Sequence, residues 1–249
     1  MTAHVALPLR MGDNALVLAQ RLGEWTGRGP ALEEDLALTN VTLDLVGHAR
    51  LWLAYAGELE GRSRTEDALA YGRDQRAFAN VLLVERPNGD YAHTTARQFC
   101  FDVWHALALR ALSSSLDPRI AEIAAKAAPE VAYHARRSAA WVVRMGDGTA
   151  ESHARIAAAF DAVWPYTGEL FTPDAIDTEN AHSGIGFEVA ALRDPWREHV
   201  GRVLADATLA MPEDGAMHTG GKSGRHTEAL SYLLAEMQSV ARSVPAQRW

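Results

Sequence analysis

"PALEEDLALTNVTLDLVGHARLWLAYAGELE", residues 30 to 60, decides the fold. Its apolar side chains recur at intervals of three and four, which puts Leu38, Val41, Leu45, His48 and Trp52 on one face of a long helix. Pro30 suits the first turn, where its missing N–H would have had no partner anyway. Nothing alternates with the period of two that a half-buried strand requires. One member of the stripe is out of place. His48 faces what the pattern otherwise marks as core.

The same period extends in both directions. Upstream, Asp13 is placed to cap a helix that runs to about Trp25, where "TGRGP" ends it. Downstream, residues 63–83 read as helix, and "ERPNGD", 85–90, is a turn. A second long helix follows over about 90–115. Residues 117–148 open with Asp117 as cap and Pro118 at the first turn, and Pro129 inside is expected to bend the helix. A fifth helix reaches about Phe171, residues 172–187 read as irregular, and Asp194-Pro195 begins another helix. A polar glycine-rich loop, 212–226, precedes a last helix from about Thr227 to Val244. With no strand, repeat or long linker, the expected architecture is one all-α domain over residues 1–249. It rests on four long helices, with further helices toward the C-terminus.

Composition narrows the function. The chain of 249 residues is 48% apolar and 22% charged, an ordinary balance for a folded domain. A net charge of -8 argues against nucleic acid, because no basic track exists to neutralise phosphates. Cys100 is the single cysteine, so an intramolecular disulfide is excluded. No apolar run approaches the roughly 18 residues of a membrane span, and the N-terminus lacks the apolar segment of a signal peptide. A cytoplasmic location and no membrane partner are expected.

Two further stripes join the first. Phe99, Asp102, Ala106 and Leu109 share one face of the 90–115 helix. Ile120, Ile123, Ala127, Val131, His134, Ser138 and Trp141 share one face of the next. Two histidines and an aspartate thus point inward from three helices. Each histidine alone reads as a core residue bonded to a neighbour. A buried carboxylate is more demanding, since it needs a metal or hydrogen-bond donors, and the histidines are the obvious candidates. Di-iron bundles place a carboxylate on each of two helices and Glu-x-x-His on each of two others.

Here the sequence resembles a known family. "LDLVGHAR", 43–50, is similar to the Asp-Glu-x-Gly-His segment of the catalytic subunit of bacterial phenylacetyl-CoA epoxidase, and "EVAYH", 130–134, to its Glu-Glu-Ser-Phe-His segment. In that register the ligand glutamates fall on Leu45 and Val131, whereas His48, Asp102 and His134 keep ligand positions. The remaining carboxylate position falls near Ala15, where no acid faces inward. Much longer matches tie the chain to the C-type subunits of the same enzyme, which are catalytically silent and ferritin-like. They are "GDNALVLAQRLGEWTGRGPALEEDLALTN" (12–40), "LLVERPNGDYAHTTARQF" (82–99), "PEVAYHARRSAAWVVRMGDGT" (129–149), "HTGGKSGRHTEALSYLLAEMQ" (218–238) and a terminal Pro-x-Gln-x-Trp, 245–249.

The resemblance implies a ferritin-like four-helix bundle with additional C-terminal helices. It implies a structural subunit of a monooxygenase complex that epoxidises the ring of phenylacetyl-CoA. No cofactor is expected in this chain; the di-iron would sit in the homologous catalytic subunit, served by further small and reductase subunits. The chemistry points the same way. A bridged iron pair needs about four carboxylates, and only Asp102 faces inward. Asp44 and Glu130 precede the histidines by four residues, but each lies about 100° off its stripe.

"HTGGKSGRHTE", 218–228, invites a phosphate-loop reading, which fails on spacing: five residues, not four, separate Gly215 from Gly221, and no strand precedes. A glycine turn capping the last helix, with Thr227 as cap, is the first reading. The second is an anion seat in which Lys222 and Arg225 meet a coenzyme A phosphate, with phenylacetyl-CoA lying at a subunit interface. Two alternatives to the structural subunit therefore stay open. One is an active metal-dependent oxygenase using His48, His134 and Asp102, since two histidines and a carboxylate form a known iron triad. The other is a stand-alone module that binds coenzyme A or another anion.

Overall fold

A computed structural model describes residues 2–244, so the terminal Pro245–Trp249 match lies outside the described residues. Among them every regular element is helical. In chain order these are α1 (Ala3–Gly23), α2 (Leu32–Glu60), α3 (Glu66–Tyr71), α4 (Leu82–Glu85), α5 (Tyr91–Leu112), α6 (Pro118–Gly146), α7 (Ala150–Val163), α8 (Ala175–His182), α9 (Arg193–Asp206), α10 (Glu228–Met237) and α11 (Ser239–Ser243). The fold is all-α. Its longest helices are α1, α2, α5 and α6, which agrees with the four expected. None is long and apolar enough to cross a membrane.

The helices fall into two compact units: residues up to Pro87 with those from Gly220 onward, and Asn88–Thr219. In the first, α1 packs on α2, α4 and α10. It is buried nearly all round, including Arg10, Asp13 and Asn14. Asp13 is therefore not a cap. The helix starts a full two turns earlier, where the Thr2 hydroxyl accepts from Val5 N, and Asp13 is an interior ion-pair residue. The start of α2 also shifts: Ala31 occupies the cap position and Pro30 precedes it. Glu33, Glu34 and Asp35 fill the first turn, where negative charge meets the positive end of the helix dipole.

The expected helix over 63–83 is broken into α3, a 3₁₀ turn at Gln75–Ala77, and α4. Side chains of α1 take the place of helical carbonyls as acceptors: Ala79 N donates to Asp13 Oδ2 at 2.9 Å and Val81 N to Asn14 Oδ1 at 2.8 Å. Tertiary hydrogen bonds outcompete the local helix. The last helix is interrupted in a similar way at Gln238, whose buried amide donates to the carbonyls of Ala70 and Arg73.

In the second unit α5 packs on α6, α7 and α9. Asp90 caps α5 through His93 N. Asp117 caps α6 as expected, accepting from Arg119 N and Ile120 N, with Pro118 following. α6 continues past Pro129 as one assigned helix. α7 stops at Val163, short of Phe171, because Pro165 supplies no N–H, and two 3₁₀ turns carry the chain onward. Residues 172–187 are not wholly irregular. Asp174 and Asp177 form a capping box that starts α8. Buried tryptophans close the unit by hydrogen bonds to main chain, Trp196 Nε1 to Cys100 O at 2.9 Å and Trp104 Nε1 to Leu170 O at 3.1 Å.

Candidate functional site

His48 lies on α2 in the first unit and is 2% exposed; Asp102 on α5 and His134 on α6, in the second, are each 1% exposed. The apolar stripes thus place all three inside, as the helical spacing predicts. Leu45 and Val131, at the positions of the missing glutamates, are wholly buried. Asp44 is half-buried and Glu130 is exposed, so neither shares the burial of the histidine on its helix.

Asp102 takes its donors from Gln98 and Ser138, which the sequence reading did not single out. Gln98 Nε2, one turn earlier on α5, donates to Oδ1 at 2.7 Å, and Ser138 Oγ on α6 lies 2.9 Å from Oδ2. Ser138 Oγ is also 3.0 Å from the carbonyl of His134. A hydroxyl has one proton and cannot donate to both. If Asp102 carries a proton, the conflict vanishes: Oδ2–H donates to Ser138 Oγ, and Ser138 donates to His134 O. Burial, opposed by the Ser138 and Gln98 hydrogen bonds and by Arg137 and Arg97, raises the carboxyl from 3.8 to about 7. Burial, with the Asp102 charge second, likewise drives the neighbouring Cys100 thiol far up, leaving it an inert core residue.

These residues do not fit a di-iron centre. Two of the carboxylate positions are aliphatic, and both oxygens of Asp102 are engaged by uncharged donors. Among the described residues no three His, Cys, Asp or Glu side chains group as metal ligands would.

The first unit holds a second polar cluster that the sequence reading missed. Asp13 and Arg73 form an ion pair with side chains 0% and 4% exposed. Arg73 also donates to the carbonyls of Leu69 and Ala77, and its guanidinium lies 4.2 Å from the centre of the Phe78 ring. Nearby, the buried Glu85 accepts from Asn80 Nδ2 at 3.0 Å and from Thr227 N at 2.6 Å. His226 places Nδ1 2.8 Å from Glu85 Oε2 and Nε2 2.9 Å from Phe78 O. Two acceptors, one at each ring nitrogen, call for an imidazolium. Burial lowers the His226 pKa, but hydrogen bonds to Glu85 and Phe78 O and the nearby acids outweigh it, and the net shift is upward.

That cluster explains the glycine-rich loop. A Cβ at Gly221 would stand 2.2 Å from Asn80 O, and one at Gly224, where φ is +77°, 2.3 Å from Arg76 O. The glycines let the turn press against the 76–81 segment while His226 locks it there. Thr227 holds the cap position of α10 without a cap bond from its hydroxyl; its N–H goes to Glu85 instead. The turn borders a cleft of about 500 Å³ lined by Gln75, Arg76, Ser223, Gly224, Arg225 and His226. Of the two cations singled out in the sequence, Arg225 lines this cleft. Lys222 does not, and Arg76 takes its place.

The sequence model of the family described as "Phenylacetic acid catabolic protein" matches residues 1–249. The chain is 48% identical over 249 residues to the C-type subunit of the 1,2-phenylacetyl-CoA epoxidase of Escherichia coli (strain K12), and the match covers 100% of both chains.

Proposed function

The chain belongs to the phenylacetic acid catabolic protein family, and from that premise we propose that it is a non-catalytic subunit of a 1,2-phenylacetyl-CoA epoxidase. In this reading it assembles with a homologous di-iron subunit, which performs the oxygenation with electrons from a reductase. What carries the proposal is the full-length relationship to one of the subunits of such an enzyme. Burial of Leu45 and Val131 supports the silent role, because side chains without oxygen occupy the positions where iron would need carboxylates.

The test is co-expression with the catalytic, small and reductase subunits. Omitting this chain should lower phenylacetyl-CoA epoxidation by on the order of 10-fold or more, and anaerobic iron loading of the isolated chain should leave it without a stoichiometric iron pair. Full activity in its absence, or two irons per isolated chain, would refute the assignment.

The cleft favours a second, compatible role. Arg76 and Arg225 present two guanidinium groups to one concavity, a disposition suited to a phosphate of coenzyme A. In the assembled enzyme Arg76→Ala/Arg225→Ala should raise KM for the thioester roughly 5- to 50-fold with kcat nearly unchanged, as lost ground-state binding does. An unchanged KM would leave the cleft without a part in substrate binding.

A further inference from the structure

α2 is apolar on two opposite sides. Its inner stripe, through Leu38, Val41, Leu45 and Trp52, is buried. On the outer side Leu32, Leu36, Leu43 and Val46 are 72%, 56%, 63% and 41% exposed. At about 100° per residue these four share one narrow arc. With Thr39 between them and Arg50 beyond, positions 32, 36, 39, 43, 46 and 50 follow the alternating four-and-three spacing of a heptad seam. A helix face that meets only water is polar or charged; here Arg50 is the single charge on the seam. Gly47 adds an independent sign. It is exposed in mid-helix, and a Cβ there would meet nothing within 4 Å. No contact within the chain calls for glycine, although it costs a helix roughly 0.5–1 kcal/mol relative to alanine.

We propose that this outer face of α2 pairs antiparallel with the same face of a second copy of the chain. The sequence is self-complementary in that sense. Antiparallel pairing sets Leu36 against Val46 of the second copy, Thr39 against Leu43, and Leu32 against the aliphatic stem of Arg50. Asn40 meets its own counterpart at the two-fold axis, where each side-chain amide both donates and accepts; a polar residue at that place fixes register. Glu33 lies over Gly47 of the second copy and beside its Arg50, whose side chain is 76% exposed. The missing side chain at Gly47 leaves room for that carboxylate. A parallel pairing would instead bring two acidic first turns together, Glu33, Glu34 and Asp35 against themselves. Charge therefore selects the antiparallel arrangement, and the occupant is the chain itself. The inference does not depend on the epoxidase reading.

Sedimentation equilibrium of the full-length chain expressed alone should give twice the 27.1 kDa of one copy. Leu36→Glu/Leu43→Glu should weaken association on the order of 100-fold without loss of helical circular dichroism, since both positions are exposed within one copy. Glu33→Arg and Arg50→Glu should each raise the dissociation constant about tenfold, and the two together should restore it. A monomer mass for the unaltered chain overturns the proposal. So does a dimer that survives the double glutamate substitution, including one that survives while co-purification with epoxidase subunits is lost, because the face would then serve a different protein.

Discussion

Arg73→Met should destabilise the chain by about 3–5 kcal/mol, the usual cost of removing one member of a buried ion pair. The substitution strands the Asp13 carboxylate, whose side chain is 0% exposed and would be left with the Ala79 N–H as its donor. It also deprives the carbonyls of Leu69 and Ala77 of the guanidinium and uncovers the Phe78 ring. Most of the penalty comes from the unpaired charge, not from lost attraction. Asp13→Asn/Arg73→Met should therefore recover part of it, because the remaining amide is neutral and still accepts from Ala79 N. Urea unfolding of the three proteins checks this. A loss below about 1 kcal/mol in Arg73→Met would show that water reaches the pair.

The same residues show what a sequence discloses and what it withholds. The long helices were legible because burial repeats every three or four residues, and the inward placement of His48, Asp102 and His134 followed from that period alone. Asp117 was legible as a cap because its partners are two and three residues away. Asp13 was not. An aspartate ahead of an apolar run looks like a cap whether or not it is one, and here its partner lies 60 residues onward. Knowledge of that contact would also have broken the helix expected over 63–83, since Asp13 and Asn14 replace its internal acceptors. The glycine-rich loop was half read. Its turn character was evident from Gly220, Gly221 and Gly224, but its anchor at Glu85 belongs to a segment 142 residues away from Thr227. For the di-iron question, sequence went further than for the loop, because the missing acids at Leu45 and Val131 are matters of residue identity. The donors to Asp102 were hidden only in part, as Ser138 already stood on the inward stripe.

Those donors shape the last expectation, a stability that falls as pH rises through the physiological range. The Asp102 carboxyl ordinarily ionises near 3.8 and in the folded chain near 7. Between those values the folded state holds a proton that the unfolded state has released, so unfolding is favoured progressively as pH increases. Asp102 contributes fully below about pH 4, loses its contribution on the way to about pH 7, and is flat above that. The accumulated loss is on the order of 2–4 kcal/mol. Asp102→Asn should abolish this slope. An amide at that position reproduces the neutral acid: its oxygen accepts from Gln98 Nε2, and its N–H donates to Ser138 Oγ, leaving the serine proton for His134 O. The variant should therefore match the parent at low pH and exceed it at pH 8, where the parent carries a buried charge whose donors, an amide and a hydroxyl, are both neutral. Urea midpoints for both proteins across that range decide the matter. Parallel pH profiles would mean that Asp102 is ionised in the fold, and the hydrogen-bond order from Asp102 through Ser138 to His134 would have to be reversed.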